Sequence, residues 1–255
     1  MNRYIWRKKI FSHITVAFDT KTRNRVILKE LRTKKATKRE FDNLTQIQPF
    51  AAINEHASLL HGTCQKYLEF KTVAIPYTAG NDILEVLLQM KRNEEKLNEK
   101  FVRDILHPMG QCIRQLQEND LSHLDIKPEN FILSKSHHSR KRPKITLIDF
   151  YCLDNYCTRG GMRSISAKCG TRSYLPPEVK YEEKFHKNSD LWSLGLVAAV
   201  CSLGFHPFSR HGVTEKNVQD FVKNNLFHRE EFSSEIVDSI TSLLEYNPNK
   251  RQNLF

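Results

Sequence analysis

The chain has 255 residues, 39% of them hydrophobic and 27% charged, with only 9 Gly and 9 Pro, which excludes a disordered or fibrous protein and allows a sizeable core. Lys and Arg outnumber Asp and Glu by 40 to 29, a net +11, and residues 1–50 alone hold 13 Lys/Arg against 4 Asp/Glu, or +9. A second basic tract, SHHSRKRP, occupies 136–143; such charge suits nucleic acid, acidic proteins or phosphates, or simply a solvated basic face.

From Ile10 to Leu31, the β-rich runs IFSHITVAF and VILKEL flank a polar turn, DTKTRNR, and predict a two-stranded hairpin. KKATKREFDNLTQI (34–47) predicts a helix ended by Pro49. SLL, YLEF and TVAIPY, within 56–77, predict further antiparallel strands. After Gly80, apolar residues recur at helical spacing in DILEVLLQM and FVRDILHPMGQCIRQLQEND, the second interrupted by Pro108. NFIL and KITLIDF predict short strands, 151–173 a long loop, and the last third is helical. LWSLGLVAAVCSLGF (191–205) follows Asp190 and is too short to cross a bilayer, so it predicts a buried helix. No apolar run follows Arg3, Arg7, Lys8 and Lys9, so no secretory signal is expected. The cysteines, Cys64, Cys112, Cys152, Cys157, Cys169 and Cys201, form no CxxC pair, which predicts reduced thiols in an intracellular setting rather than disulfides or zinc. The expected organisation is α+β: a small β-rich lobe with one helix over 1–76, then a larger, mainly helical lobe over 77–255.

The stretch SHLDIKPENF (122–131) places Asp125, Lys127 and Asn130 in a turn before a strand, and LIDF ends a later strand at Asp149. Phosphoryl transfer needs positioning and charge neutralisation more than covalent help. One carboxylate must orient the attacking hydroxyl, while a second carboxylate and an amide oxygen hold Mg²⁺, a hard ion that prefers oxygen. A lysine near the nucleophile neutralises the moving group. Asp125, Asp149, Asn130 and Lys127 supply that set; singly, each would be an ordinary surface residue.

Here the sequence resembles the eukaryotic protein kinases, over nearly the whole chain. HLDIKPEN (123–130) resembles the catalytic loop HRDLKPEN, and DFY (149–151) resembles DFG. VILK (26–29) is similar to VAIK, which makes Lys29 the residue for the α/β-phosphates and Glu40 its ion-pair partner. GTRSYLPPE (170–178) resembles the segment closing the activation loop, DLWSLG (190–195) the helix supporting the catalytic loop, and NPNKR (247–251) the element whose arginine pairs with Glu178. The resemblance implies a bilobal kinase fold with an antiparallel-β N-lobe, one αC helix and a helical C-lobe. Lys127 and Thr171 follow the Ser/Thr pattern. By the same resemblance Ile75 is the gatekeeper, Pro76 to Thr78 the adenine hinge, and Asp82 the residue near the ribose. Pro76 lacks an N–H, so adenine recognition should lean on the backbone of Tyr77 and Thr78. Asp82 and Glu129 fall where basophilic members hold an arginine of the substrate, although Glu129 is also the usual Glu of the PEN motif. The implied cofactors are ATP and Mg²⁺, with Mn²⁺ as an alternative.

Four features depart from the family. Its three glycine-rich-loop positions fall on Arg7, Lys9 and Ser12, so backbone amides cannot close over phosphates in the usual way. The basic side chains of Arg7, Lys8 or Lys9 could contact phosphate instead, or line a solvated strand. Ile27 replaces the small residue that roofs the adenine, where overpacking typically costs ~1–3 kcal/mol. Tyr151 replaces the Gly of DFG, reducing backbone freedom beside Asp149. Leu124 replaces the Arg that binds a phosphorylated activation loop, so phosphorylation of Thr158, Ser164 or Ser166 should be dispensable. The helix carrying Glu40 must then be held by something else: an N-terminal segment, a partner or a second copy. The chain ends four residues past Arg251, where the family's last helix would be absent or shortened.

Two readings stand: an active Ser/Thr kinase, and a pseudokinase scaffold binding partners through the basic lobe and helix 34–47. A basic nucleic-acid-binding module does not account for the ordered motifs. The small size and eroded glycine loop resemble divergent kinases of large DNA viruses, such as those of baculoviruses. Their substrates include arginine-rich DNA-packaging proteins. An intracellular location follows, cytoplasm or nucleus, or host cell or virion if viral, with no membrane attachment.

Overall fold

The computed structural model describes the chain apart from residues 1–2, 55, 61, 63, 68–70, 135–143, 156–161, 165–168, 209–213, 222–223, 225–230 and 254–255. The basic tract 136–143, Cys157, Thr158 and Ser166 lie outside the described residues.

Three strands open the chain: β1 (Tyr4–Phe11), β2 (Ile14–Asp19) and β3 (Asn24–Glu30). Thus IFSHITVAF is not one strand but the end of β1, a two-residue turn at Ser12 and His13, and β2. Helix α1 spans Lys34–Ile47, as predicted; Thr33 caps it by accepting the N–H of Ala36 at 3.1 Å, and a short 3-10 turn (Gln48–Phe50) carries Pro49. Its buried residues Thr37, Glu40, Leu44 and Ile47 recur at three- and four-residue steps, which sets one face against the core.

Strands β4 (Ala57–Leu59), β5 (Gln65–Tyr67) and β6 (Thr72–Pro76) follow. An antiparallel sheet has the order β1-β2-β3-β6-β5. β4 does not join it, contrary to the sequence expectation. It pairs in parallel with β10 (Lys144–Leu147), Ala57 opposite Ile145. Long-range pairing of this kind leaves no local signature. The second sheet has the order β4-β10-β9-β7, with β7 (Asn81–Asp82) and β9 (Phe131–Ser134).

Helix α2 (Ile83–Arg92) is capped by Asp82, whose carboxylate accepts the N–H of Glu85 at 2.9 Å. Helix α3 runs unbroken over Glu99–Gln117 with Pro108 inside it, correcting the expected interruption. Proline removes one N–H bond from the ladder, and burial of Val102, Ile105, Met109, Cys112, Ile113 and Leu116 outweighs that loss. After β8 (Leu121–Ser122) and β9–β10 come β11 (Asp154–Asn155), which pairs with β8, and β12 (Met162–Ser164). Then follow α4 (Pro177–Glu182), β13 (Lys184–His186), which pairs with β12, α5 (Ser189–Leu203), α6 (Glu215–Phe221) and α7 (Ser234–Leu243). Every residue of α5 from Ser189 to Ser202 is buried, so the apolar run 191–205 is the hub of the larger lobe, as expected. Among the described residues no helix is long and apolar enough to cross a membrane.

Cys152 and Cys169 form a disulfide with Cα atoms 5.7 Å apart, which overturns the free-thiol expectation for this pair; Cys64, Cys112 and Cys201 are free. Seventeen residues separate the two in sequence, and only the return of the chain brings them together.

Two histidines, His186 buried and His206 half-buried, give the fold a pH signature. Burial holds His186 and His206 below their ordinary 6.5. His186 accepts the N–H of Asn188 on Nδ1, and His206 meets the carbonyl of Ser173 through Nε2. Below about pH 6.5 the unfolded chain binds protons that these two refuse in the fold, so stability drops as pH falls. The melting temperature is expected to decline between about pH 7.5 and 5.5, and a His186→Gln/His206→Gln variant to flatten that slope.

Candidate active site

Lys29 lies on β3, flanked by β2 and β6, with its side chain 10% exposed. Its Nζ donates to Glu40 Oε1 at 3.0 Å and to Asp149 Oδ1 at 2.7 Å, so strand, helix and the DFY turn meet at one ammonium. Burial alone would push this ammonium down, but Glu40 and Asp149 reverse that and raise its pKa. Burial also lifts both carboxyls; in Asp149 Lys29 prevails and the pKa falls below the ordinary value. Glu40 stays raised: it is wholly buried, and its Oε2 has no hydrogen-bond partner among the described residues.

Asp149 adopts a left-handed conformation, φ 64° and ψ 73°, sparsely populated for a residue with a Cβ. Phe150 anchors it: the ring is fully buried and meets His123 edge-on at 5.0 Å. Helix α1 is tied to the same turn, because Asn43 Nδ2 donates to the carbonyls of Phe150 (2.7 Å) and Tyr151 (3.3 Å). The Arg39 guanidinium lies 5.5 Å from the Tyr151 ring centre. Sequence reasoning missed Asn43, although it lies three residues from Glu40 and hence on the same helix face.

The catalytic-loop residues form a second cluster. Asp125 Oδ1 accepts the Thr171 hydroxyl at 2.7 Å, and Oδ2 lies 3.1 Å from Lys127 Nζ. Lys127 also donates to Thr171 Oγ1 at 3.0 Å, and Asn130 Nδ2 donates to the Asp125 carbonyl at 2.7 Å. The loop is held from below by Asp190 on α5, whose two oxygens accept the N–H groups of His123 (2.6 Å) and Leu124 (2.9 Å). That grip secures Leu124 at φ 64°. Burial raises the Asp190 carboxyl against these amide donors. The His123 ring is fixed between the Ile148 carbonyl and the N–H of Asp125. Further away, Glu178 and Arg251 form a buried two-point ion pair at 2.6 and 2.8 Å, with Ser189 donating to Glu178 at 2.9 Å.

The hinge differs from expectation in one respect. The N–H of Tyr77 donates to the Arg25 carbonyl at 3.3 Å, so of the two expected backbone donors this one is already engaged. Asp82 caps α2 (above), a use the sequence did not anticipate; such caps contribute about 1 kcal/mol. Glu129 is half-buried in the Pro128–Asn130 turn, against which β7 and α2 pack. The β1–β2 turn has no glycine and no residue with positive φ, while Ile10 and Phe11 beside it are exposed. Among the described residues no group of three or more His, Cys, Asp or Glu could cage a metal. A cation here would share Asp149 and Asn130 with phosphate oxygens, an oxygen-only set that fits a hard divalent ion.

The protein kinase domain model matches residues 10–254, and the chain belongs to the protein kinase family. Its fold is the bilobal α+β fold of that family. It is similar to Aurora kinase of Yarrowia lipolytica, 30% identical over 165 residues, covering 65% of this chain and 42% of that protein. Serine/threonine-protein kinase D3 of Mus musculus is 25% identical over 201 residues, covering 77% of this chain and 21% of that one. MAP kinase-activated protein kinase 2 of Oryctolagus cuniculus is 28% identical over 172 residues, covering 64% and 45%. The chain thus spans less than half the length of these curated relatives. The solved structure of the Cydia pomonella granulovirus kinase PK-1 superimposes with a TM-score of 0.69 at 18% identity, covering 98% of this chain and 90% of that one, a likeness of fold.

Proposed function

We propose that the protein is an ATP-dependent Ser/Thr protein kinase. The observation that carries this reading is the pairing of two intact clusters: Lys29 between Glu40 and Asp149, and Asp125 with Lys127 and Thr171. Lys29, braced by Glu40, orients the α- and β-phosphates. Asp149 and Asn130 hold the divalent cation, Mg²⁺ with Mn²⁺ as an alternative, which when bound neutralises phosphate charge. Asp125 accepts the proton of the attacking hydroxyl, and Lys127 offsets charge on the transferring group. Thr78 supplies the hinge N–H and Asp82 stands at the ribose end. Ser/Thr kinases among the relatives support the hydroxyl class of substrate. A basic, Arg/Lys-rich target belongs to the reading through the resemblance of Asp82 and Glu129 to the carboxylates of basophilic members. The reading places the protein inside cells, cytoplasm or nucleus, and the similarity of its fold to a granulovirus kinase supports a viral origin. A second copy or partner bracing α1 is a lesser part of it, since Asn43 and Arg39 already hold that helix. The glycine-free β1–β2 turn favours the scaffold alternative. Labelled γ-phosphate transfer to an arginine-rich protein, with Asp125→Asn as control, separates the two. No transfer above the control would favour the scaffold.

Because Leu124 is apolar, the activation segment has no arginine there to receive a phosphate. Replacing Thr158, Ser164 and Ser166 together by Ala is expected to leave kcat within about twofold of wild type, since position 124 holds no cation to pair with a phosphate on any of them. Loss of most activity would show that a phosphate is needed after all.

A further inference from the structure

The activation segment departs at Cys152, three residues after Asp149, and returns at Cys169, two residues before Thr171. The disulfide between them closes this segment at its base, and the 5.7 Å between Cα atoms lies within the usual range of about 4.4–6.8 Å. The bridge is packed in an apolar cluster with Leu124, Val179 and Phe185. Leu124 therefore sits against a covalent link where a phosphate-binding arginine would otherwise stand. On one side, Phe150 and Tyr151, directly before Cys152, accept the bonds from Asn43 that hold α1. On the other, Gly170 presses its backbone on Leu124, at φ +88°, where a Cβ would lie 2.5 Å from the Leu124 carbonyl oxygen. Thr171 follows, hydrogen-bonded to Asp125 and Lys127. One bond thus joins the anchor of the Glu40 helix to the anchor of the catalytic loop.

We propose that Cys152–Cys169 is a redox latch: oxidised, it positions Thr171 and the DFY turn for phosphoryl transfer; reduced, it uncouples these two anchors and turnover falls. This inference rests on the kinase reading above. Disulfides of intracellular proteins, where present, are typically transient and regulatory. To close the latch, one cysteine thiolate attacks a small-molecule disulfide such as oxidised glutathione and expels one thiolate. The second cysteine then attacks the mixed disulfide and expels the other. Two electrons pass to the glutathione disulfide, which leaves as two thiols, and a dithiol reverses the exchange. Cys169 is partly exposed and gives entry, whereas Cys152 is 7% exposed. Among the described residues the free cysteines compete poorly: burial raises the thiols of Cys64 to about 11 and of Cys112 and Cys201 to about 12.

The test titrates the wild-type protein across glutathione redox ratios. It reads kcat, melting temperature and, by alkylation and peptide mass spectrometry, the fraction of Cys152 linked to Cys169. We expect kcat to fall about tenfold or more on reduction, as for a displaced catalytic constellation, with the same midpoint as the thiol titration. A Cys152→Ser/Cys169→Ser variant should match the reduced protein and ignore glutathione. A melting-temperature shift with unchanged kcat would make the bond a structural staple and overturn the latch. So would higher activity on reduction, or failure of the two cysteines to link. If the oxidised protein transfers no more phosphate than Asp125→Asn, the kinase reading itself fails and the latch with it.

Discussion

Asp125→Asn is expected to lower kcat by about 10²–10⁴-fold, the range that a positioned general base contributes, while leaving the fold and the KM for ATP close to wild type. Asparagine keeps the size of the side chain and can still accept the Thr171 hydroxyl. It cannot take a proton from a substrate, and it loses the charge that faces Lys127 at 3.1 Å. The separation of kcat from KM follows from geometry: the Asp125 carboxylate meets Thr171, Lys127 and Asn130, whereas Lys29 and Asp149 form their own ion pair. Steady-state kinetics with circular dichroism of the variant checks both halves. Equal rates for wild type and variant would leave the scaffold reading in possession.

Arg251→Ala is expected to cost about 3–5 kcal/mol of stability, the usual result of removing one partner from a buried ion pair. The Arg251 side chain has no exposure and that of Glu178 only 3%. Arg251 also donates to the carbonyls of Glu245, Tyr246 and Asn188, and its guanidinium lies 5.2 Å from the Trp192 ring centre. The truncation therefore leaves a buried carboxylate and several carbonyls without their donor. Denaturant unfolding reads the loss directly, and a shift below 1 kcal/mol would show that the site relaxes or admits water. A Glu178→Leu/Arg251→Met variant should recover much of it, because it removes both charges together.

The sequence made much of this legible. Helix α1 has the predicted limits, since its amphipathic spacing and the cap at Thr33 are local signals. The order of motifs was enough for the Lys29–Glu40 and Glu178–Arg251 pairs, each a meeting of two residue types whose burial is tolerable only together. Local signals misled where tertiary packing outweighed them. Pro108 reads as a break, yet it lies in a helix whose buried face costs more to disrupt than one hydrogen bond. Tyr77 reads as a free hinge donor, yet its N–H is used by Arg25, a strand neighbour 52 residues back in the chain.

By itself, then, the sequence determined which chemical groups the protein owns and in what order. That information is carried by residue identity and short-range spacing. Only the tertiary structure decided which groups touch: β4 beside β10, Asn43 on the DFY turn, and Cys152 against Cys169 beneath Leu124. Each of these closes a long loop, and the entropy of closure is offset by burial spread over the whole core rather than by anything in the residues joined.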